Sequence, residues 1–447
     1  MEIAVIPVEN KFILYRPLLR RAFVGNQAMA DLVRHWASQG VSPDESGQDA
    51  LAFLKEIGFL EPDPPSPRPP DPLFHPTVAV VLSTSRCNLR CTYCYANGGS
   101  EPIQDVSLEA ARVVIDQACR NALEQGHPHF DLGFHGGGEP VQIWDTLQQV
   151  TAYARSKELA CHIAMVSNGI WTDRQREWIL HNVDSLNISF DGQQETQNRQ
   201  RPFASGQGSF RAVMHTIEAL DRVGFSYAIR MTATAPWRGR LPEDVRFVCE
   251  KTGCPIIQVE PAFNLRRGEP QGPTQKEGEA FVEAFMQAFE IAAQAGRQLT
   301  YSGARPQLLT QVFCNAPYGA LVVNPEGSLV ACYEVTNKNH PMAQMFTVGC
   351  VEGSQIIIDD QVRHALWDHL QKKRATCQDC FCYWHCAGDC YPRSLAAAPK
   401  DPGMSNPRCD INREITARIL LWYIMAGNGV WLGQEVSPQM MQLMQMF

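Results

Sequence analysis

No stretch of the 447-residue chain approaches the ~20 consecutive apolar residues that a membrane-crossing helix requires, and the longest apolar patch, around Ile419 to Ala426, is too short, so no membrane partner is expected. Basic residues are sparse and scattered: 39 Lys and Arg stand against 47 Asp and Glu, for a net charge of −8, and no window holds the cationic cluster that a phosphate backbone demands. Nucleic acid is therefore not expected as a partner. The 45% apolar and 19% charged composition excludes disordered and collagen-like classes. The opening residues, MEIAVIPVENKFILYRP, lack the apolar core and cleavage site of a secretory signal, so a reducing, cytoplasmic setting is expected.

What the chain has in excess is cysteine. There are 16, with Cys87, Cys91 and Cys94 in one short stretch and six more between Cys377 and Cys409. Thiols grouped this closely in a reducing compartment point to metal rather than to disulfides.

At roughly 150 residues per domain the length predicts two or three domains. Residues 1–61 read as a small winged-helix-like unit: Glu9 to Arg16 has strand character, and NQAMADLVRHWA from Asn26 and DALAFLKEIGFL from Asp49 carry helical spacing. Residues 62–76 hold eight prolines and read as a stiff, extended linker. From 77 to 300 short apolar runs alternate with helical stretches. The strand candidates are TVAVVLS (Thr77 to Ser83), HFDLGFH (His129 to His135), HIAMVS (His162 to Ser167), SLNISF (Ser185 to Phe190), YAIRMTA (Tyr227 to Ala233) and IIQVEP (Ile256 to Pro261). Such alternation predicts parallel strands with helical crossovers. Six units suit a partial (β/α)6 TIM-like barrel better than a closed eight-stranded one, with a doubly wound sheet as the alternative. In either fold the chemistry gathers in loops after the strands' C-terminal ends. Residues 301–427 form a third, cysteine-dense region, and 428–447 a C-terminal tail.

Directly after the first barrel strand stand Cys87, Cys91 and Cys94, a C-x3-C-x2-C triplet. Three thiolates on one loop can hold three irons of a cubane and leave the fourth open to a ligand, whereas zinc ordinarily takes four ligands from paired C-x2-C knuckles. With the aromatic Tyr93 before its last cysteine, the triplet resembles the signature of radical S-adenosylmethionine enzymes. Other marks similar to that family follow in order: Gly137, Gly138 and Glu139 after the second strand, Ser167 and Asn168 after the third, and Ser189 with Asp191 after the fourth. The family's subsequent H-D-x-x-R appears as Gln197, Asn198 and Arg201, the His-Asp pair being replaced. Arg230 on the fifth strand is a further candidate for the cofactor's carboxylate. The resemblance implies a 4Fe-4S cluster, S-adenosylmethionine, and a 5′-deoxyadenosyl radical.

Cys377, Cys380, Cys386 and Cys390 spell C-x2-C-x5-C-x3-C, preceded by Cys314 and Cys332 and followed by Cys409. This resembles the SPASM extension, which binds two auxiliary clusters. The resemblance implies Cys377, Cys380, Cys386 and Cys409 at one, and Cys314, Cys332 and Cys390 at the other. Cys350 is extra to that pattern: either it completes the three-cysteine set, the favoured expectation, or an iron there stays open to substrate. Cys382 is extra and has no assigned role, and Cys119, Cys161, Cys249 and Cys254 read as plain thiols.

Taken together these resemblances imply three 4Fe-4S clusters and a maturase of ribosomally made precursor peptides, forming a crosslink or excising a backbone fragment. A flavodoxin or ferredoxin would donate electrons, the peptide's leader would dock on the N-terminal unit, and a separate recognition protein is a further possible partner. The alternatives are an anaerobic sulfatase-type maturase oxidising Cys or Ser on a protein, and a non-catalytic iron-sulfur or zinc module. No general base is identifiable from the sequence.

Overall fold

The computed structural model describes residues 1–39, 48–70, 73–100, 102–263, 267, 272–397 and 406–433. Its centre is an eleven-stranded sheet. Six strands lie where the apolar runs predict them: β4 (Val78–Val81), β5 (His129–Phe134), β6 (Ala160–Ser167), β7 (Ser185–Ser189), β8 (Tyr227–Thr234) and β9 (Ile256–Ala262). Each pairs in parallel with its predecessor. Five of the crossovers between them carry a helix, Leu108–Glu124, Trp144–Arg155, Asp173–Asn182, Phe210–Val223 and Leu241–Lys251, and a sixth helix, Gln275–Gln294, leads to β10 (Gln298–Thr300). Local chemistry starts these helices: Ser107 accepts the Ala110 N–H, and Thr172 with Gln175 and Thr274 with Glu277 form capping boxes.

One face of the parallel strands packs against the helices, while alternate residues of β5 and β6 on the other face are half-buried. Ile163 and Met165 of β6, Leu186 and Ile188 of β7 and Ile257 and Val259 of β9 belong to one continuous core. The sheet does not close, since its ends, β10 and β14, remain apart in the order. It is the open, partial barrel that the alternation predicts. The cysteine-dense region extends it: β11 (Ala320–Val323) adds in parallel to β4, followed by the antiparallel β12 (Ser328–Val330), β13 (Thr347–Glu352) and β14 (Gln355–Ile358).

The N-terminal unit is a meander of β1 (Ala4–Val8), β2 (Lys11–Arg16) and β3 (Arg21–Gly25), with helices Gln27–Gln39 and Gln48–Glu56. Alternation along β2 decides its packing. Leu14 faces Val33, Trp36 and Leu54 on one side, while Ile13 and Tyr15 face Leu420 and Ile424 of helix Pro407–Ala426 on the other. The fourth strand of this sheet, β15 (Val430–Trp431), arrives from the far end of the chain and pairs with Phe23 and Ala22. The unit of residues 1–61 is thus completed by two residues assigned from the sequence to a tail. The rest of that tail, 434–447, lies outside the described residues. The fully buried Arg16 ties the unit to the start of the proline-rich linker through the carbonyls of Phe59 and Glu61 and the Asp63 carboxylate. Among the described residues no helix is long and apolar enough to cross a membrane.

Candidate functional site

The loop after β4 carries Cys87, Cys91 and Cys94 into a cavity of about 250 Å³ at the C-terminal ends of the parallel strands. Two arginines fix the loop's backbone. Arg90 donates to the carbonyls of Cys87 (2.8 Å), Leu89 (2.9 Å) and Gly99 (2.6 Å). Arg267, from the segment after β9, donates to the carbonyls of Cys91 (2.6 Å) and Gly98 (2.7 Å). Neither carries a sequence signal, because a loop arginine reads as a solvated charge until the fold shows which carbonyls it meets.

Gly137 and Gly138 lie against the same loop. The Gly138 N–H donates to the Thr84 carbonyl and the Glu139 N–H to that of Arg86. A Cβ at Gly138 would collide with the Arg86 carbonyl oxygen, and one at Gly137 (φ +72°) would stand 2.6 Å from that of Thr84. This close approach brings Glu139 into the cavity. Its carboxylate accepts from the Ser167 hydroxyl (2.6 Å) and the Asn168 N–H (2.8 Å). Trp171 holds Ser167 in place through its indole N–H (2.9 Å), and the Asn168 side chain donates to Asn88 beside Cys87 (2.8 Å).

Burial outweighs these hydrogen bonds and pushes the Glu139 carboxyl from its ordinary 4.5 up to about 7. The consequence for stability has a definite sign. Between those two values the folded chain keeps a proton that the unfolded chain has lost, so stability falls as pH rises through this window, by about 3 kcal/mol at 1.36 kcal/mol per pKa unit. Urea unfolding of metal-free protein across pH 4 to 8 should show this decline, and Glu139→Gln should flatten it.

Asp191, just beyond β7, is the hub of the opposite wall. One carboxylate oxygen accepts from the Tyr93 hydroxyl (2.7 Å), Gln200 (2.9 Å) and Arg201 Nε (2.9 Å), and the other from the Thr232 N–H (2.9 Å). Arg201 lies over the Tyr93 ring at 5.1 Å, with an Nη 3.9 Å from Cys91 Sγ. Burial alone would lower its pKa, but Asp191 more than offsets that, so the guanidinium remains charged. Gln197 and Asn198, which replace a His-Asp pair, have structural tasks: Gln197 accepts the Asp191 N–H and donates to Ser209, and Asn198 accepts the Phe210 N–H. Ser189 and Arg230 complete the lining, so all nine residues read as cofactor-binding, Tyr93, Gly137, Gly138, Glu139, Ser167, Asn168, Ser189, Arg201 and Arg230, surround one space with the three thiols.

Eight further cysteines line two more cavities. Cys314, Cys332 and Cys390 line one of about 150 Å³, and Cys377, Cys380, Cys386 and Cys409 one of about 70 Å³, together with Cys382. Cys382 is 2% exposed and sits against Cys380, and the hydrogen bond between them holds the Cys380 thiol below its ordinary pKa. Cys350 departs from expectation. It lies on β13 with its thiol toward Glu352 at 3.6 Å and lines none of the three cavities, because β13 leaves the barrel mouth to pair with β14.

The donor set of the cavity of about 250 Å³ fits a cluster with one open iron. Among the described residues it offers three thiols and no fourth cysteine, on a loop pressed against glycines. Burial raises the thiols of Cys87 to about 12 and Cys91 to about 11, so a cationic centre is what would hold them as thiolates.

An open parallel barrel with this loop at its mouth defines a class. Residues 81–237 match the Radical SAM superfamily, so the chain carries a Radical SAM domain, the domain of an enzyme family that implies a 4Fe-4S cluster and S-adenosylmethionine. Among individual proteins, it is 26% identical over 304 residues to the Fe-coproporphyrin III synthase of Methanosarcina barkeri, covering 66% of this chain and 71% of that one. It is 28% identical over 197 residues to the sporulation killing factor maturation protein SkfB of Bacillus subtilis, covering 43% of this chain and 44% of that one. The match thus spans less than half the length of the latter. Solved structures share the fold: anSMEcpe with bound AdoMet (TM-score 0.60, 16% identity, 78% of this chain and 98% of that one) and Streptococcus suis SuiB bound to precursor peptide SuiA (TM-score 0.52, 13% identity, 90% and 97%).

Proposed function

We propose that the chain is a maturase that modifies a ribosomally made precursor peptide, closing a crosslink or excising a backbone fragment. One observation carries this reading. The cavity of Cys87, Cys91 and Cys94 and that of Cys314, Cys332 and Cys390 share six lining residues, Tyr95, His135, Arg230, Glu260, Glu334 and Arg393. A substrate held at that shared wall meets the site of hydrogen removal on one side and an electron acceptor on the other. S-adenosylmethionine on a reduced four-iron cluster supplies the one-electron chemistry that takes a hydrogen atom from an unactivated carbon.

The chain's own residues bind and orient. Glu139 and Ser167 offer acceptors to the cofactor's ammonium, Arg201 and Arg230 offer cations to its carboxylate, and the wall excludes water. Two auxiliary clusters would fit the smaller cavities, where Cys314, Cys332 and Cys390 would hold one and Cys377, Cys380, Cys386 and Cys409 the other. A flavodoxin or ferredoxin donates the electron. The leader adds to the outer edge of β1, the end strand of the N-terminal sheet. The peptide-maturing relative SkfB and the peptide-bound fold neighbour SuiB support this substrate class.

A second reading, an enzyme acting on an iron porphyrin, is favoured by the longer match to Fe-coproporphyrin III synthase. Anaerobic incubation of the reduced protein with S-adenosylmethionine and the short peptide encoded beside the gene should release 5′-deoxyadenosine and change the peptide's mass. A peptide returned unchanged, with an iron porphyrin consumed instead, would select the second reading. Absence of 5′-deoxyadenosine under all conditions would sink both.

A further inference from the structure

The shared wall contains a carboxylate whose two oxygens are treated differently. Glu260 is at the C-terminal end of β9 and only 6% exposed. Its Oε1 is anchored, accepting the Ser302 N–H (3.1 Å) and the Gln258 side-chain amide (3.0 Å). Its Oε2 is buried and, among the described residues, accepts no hydrogen bond, although it forms an ion pair with Arg393 Nη1 at 3.6 Å. Buried acceptors are nearly always satisfied, so a native structure that leaves one bare calls for a reason. Glu334, the other carboxylate of the wall, differs in that one of its oxygens takes two Arg393 nitrogens, each at 3.3 Å. Glu260 therefore lies on the wall common to the two cavities with one oxygen that takes no hydrogen-bond donor and is balanced only by the Arg393 cation, an arrangement that suits a group receiving a substrate's proton.

We infer that Glu260 Oε2 is the proton acceptor for the bond-forming step, an inference that rests on the peptide-maturase reading. The balance is as follows. Removal of a hydrogen atom yields 5′-deoxyadenosine and a carbon radical on the peptide. That radical site would bond to a nearby nucleophilic group, whose proton passes to Glu260 Oε2, while the one electron released would be taken by the iron-sulfur centre that Cys314, Cys332 and Cys390 would hold. The peptide loses two hydrogens in all, the centre is reduced by one electron, and Glu260 leaves the step as a carboxylic acid.

The test compares the full-length, cluster-loaded chain with Glu260→Gln and Glu260→Asp, using the precursor peptide encoded beside the gene. In Glu260→Gln, product formation should fall at least about 100-fold while 5′-deoxyadenosine release stays within about threefold, so that the two uncouple. Peptide recovered from D2O should carry deuterium where the stranded radical is quenched by one electron from the assay's reductant and one deuteron from solvent. Peptide affinity without S-adenosylmethionine should change less than about twofold, and iron content should match wild type. Glu260→Asp, which keeps the carboxylate, should recover part of the coupling. Product at the wild-type rate in Glu260→Gln overturns the inference, as does a weakened affinity with coupling intact, which would make Glu260 an anchor only. A wild-type chain that modifies no peptide overturns the parent reading and this inference with it.

Discussion

A chain in which Cys91 is replaced by Ala should release 5′-deoxyadenosine at least about 10³-fold more slowly than wild type, equivalent to about 4 kcal/mol of barrier. Among the described residues only three cysteines, Cys91 one of them, line the cavity of about 250 Å³, so no neighbouring thiol there can take its place. Its sulfur faces the Arg201 guanidinium at 3.9 Å, and its carbonyl is held by Arg267, so loss of the thiol leaves the surrounding loop anchored. The effect should therefore be confined to the metal. If three four-iron clusters are present, iron should fall from about 12 to about 8 per chain, with the remaining clusters visible by spectroscopy. Alanine is the stringent choice, since a serine oxygen could still ligate. Cys350→Ala is the matching control: its thiol lies by Glu352 on β13, outside all three cavities, and its loss should leave iron and turnover unchanged. Retention of full iron and full release by Cys91→Ala would remove the basis for an open iron at this loop.

How much of this is legible in the sequence follows from the range of the forces involved. The strands β4 to β9 stand out because they read as short apolar runs between helical stretches, as strands packed under crossover helices do. Strands whose partners come from elsewhere do not stand out. Nothing in Val430–Trp431 announces a strand, since two residues show no period, and their pairing with Phe23 and Ala22 exists only once helix Pro407–Ala426 has returned the chain to the N-terminal sheet. The site divides in the same way. Glycines at 137 and 138 are conspicuous because the backbone approaches another carbonyl there, whereas Glu260 looks like any acid until the fold puts it on the wall between two cavities. Cys350 shows the reverse error. Counting thiols suggested a fourth ligand, but the direction of β13 decides where that sulfur goes, and spacing along a chain carries no such vector.

Replacing Arg408 with Met should destabilise the chain by about 3–5 kcal/mol at neutral pH, the usual cost of stranding one member of a buried ion pair. Arg408 and Asp389 are joined by two hydrogen bonds, Nε to Oδ2 at 2.7 Å and Nη2 to Oδ1 at 3.0 Å, with side chains 2% and 1% exposed. Burial alone would raise the Asp389 pKa, but the neighbouring Arg408 more than reverses this and holds it below its ordinary 3.8. A lowered carboxyl pKa contributes stability above the unfolded value, which is lost as pH falls through the folded one. Without Arg408 the carboxyl would titrate higher, so the variant's deficit should shrink on acidification as Asp389 takes up a proton. Urea midpoints at pH 7 and pH 5 would reveal the trend, and the double variant Arg408→Met, Asp389→Leu should recover most of the loss because no charge is left unpaired. The same pair has a place in the architecture of the thiols. Asp389 lines both smaller cavities and immediately precedes Cys390, while Arg408 lines the largest and immediately precedes Cys409. One ion pair thus anchors cysteines of two different cavities against the barrel mouth. Arg408→Met should therefore lose iron from both smaller cavities together while the Cys87, Cys91 and Cys94 site retains its own. Iron loss confined to one of them would show that the two are held independently.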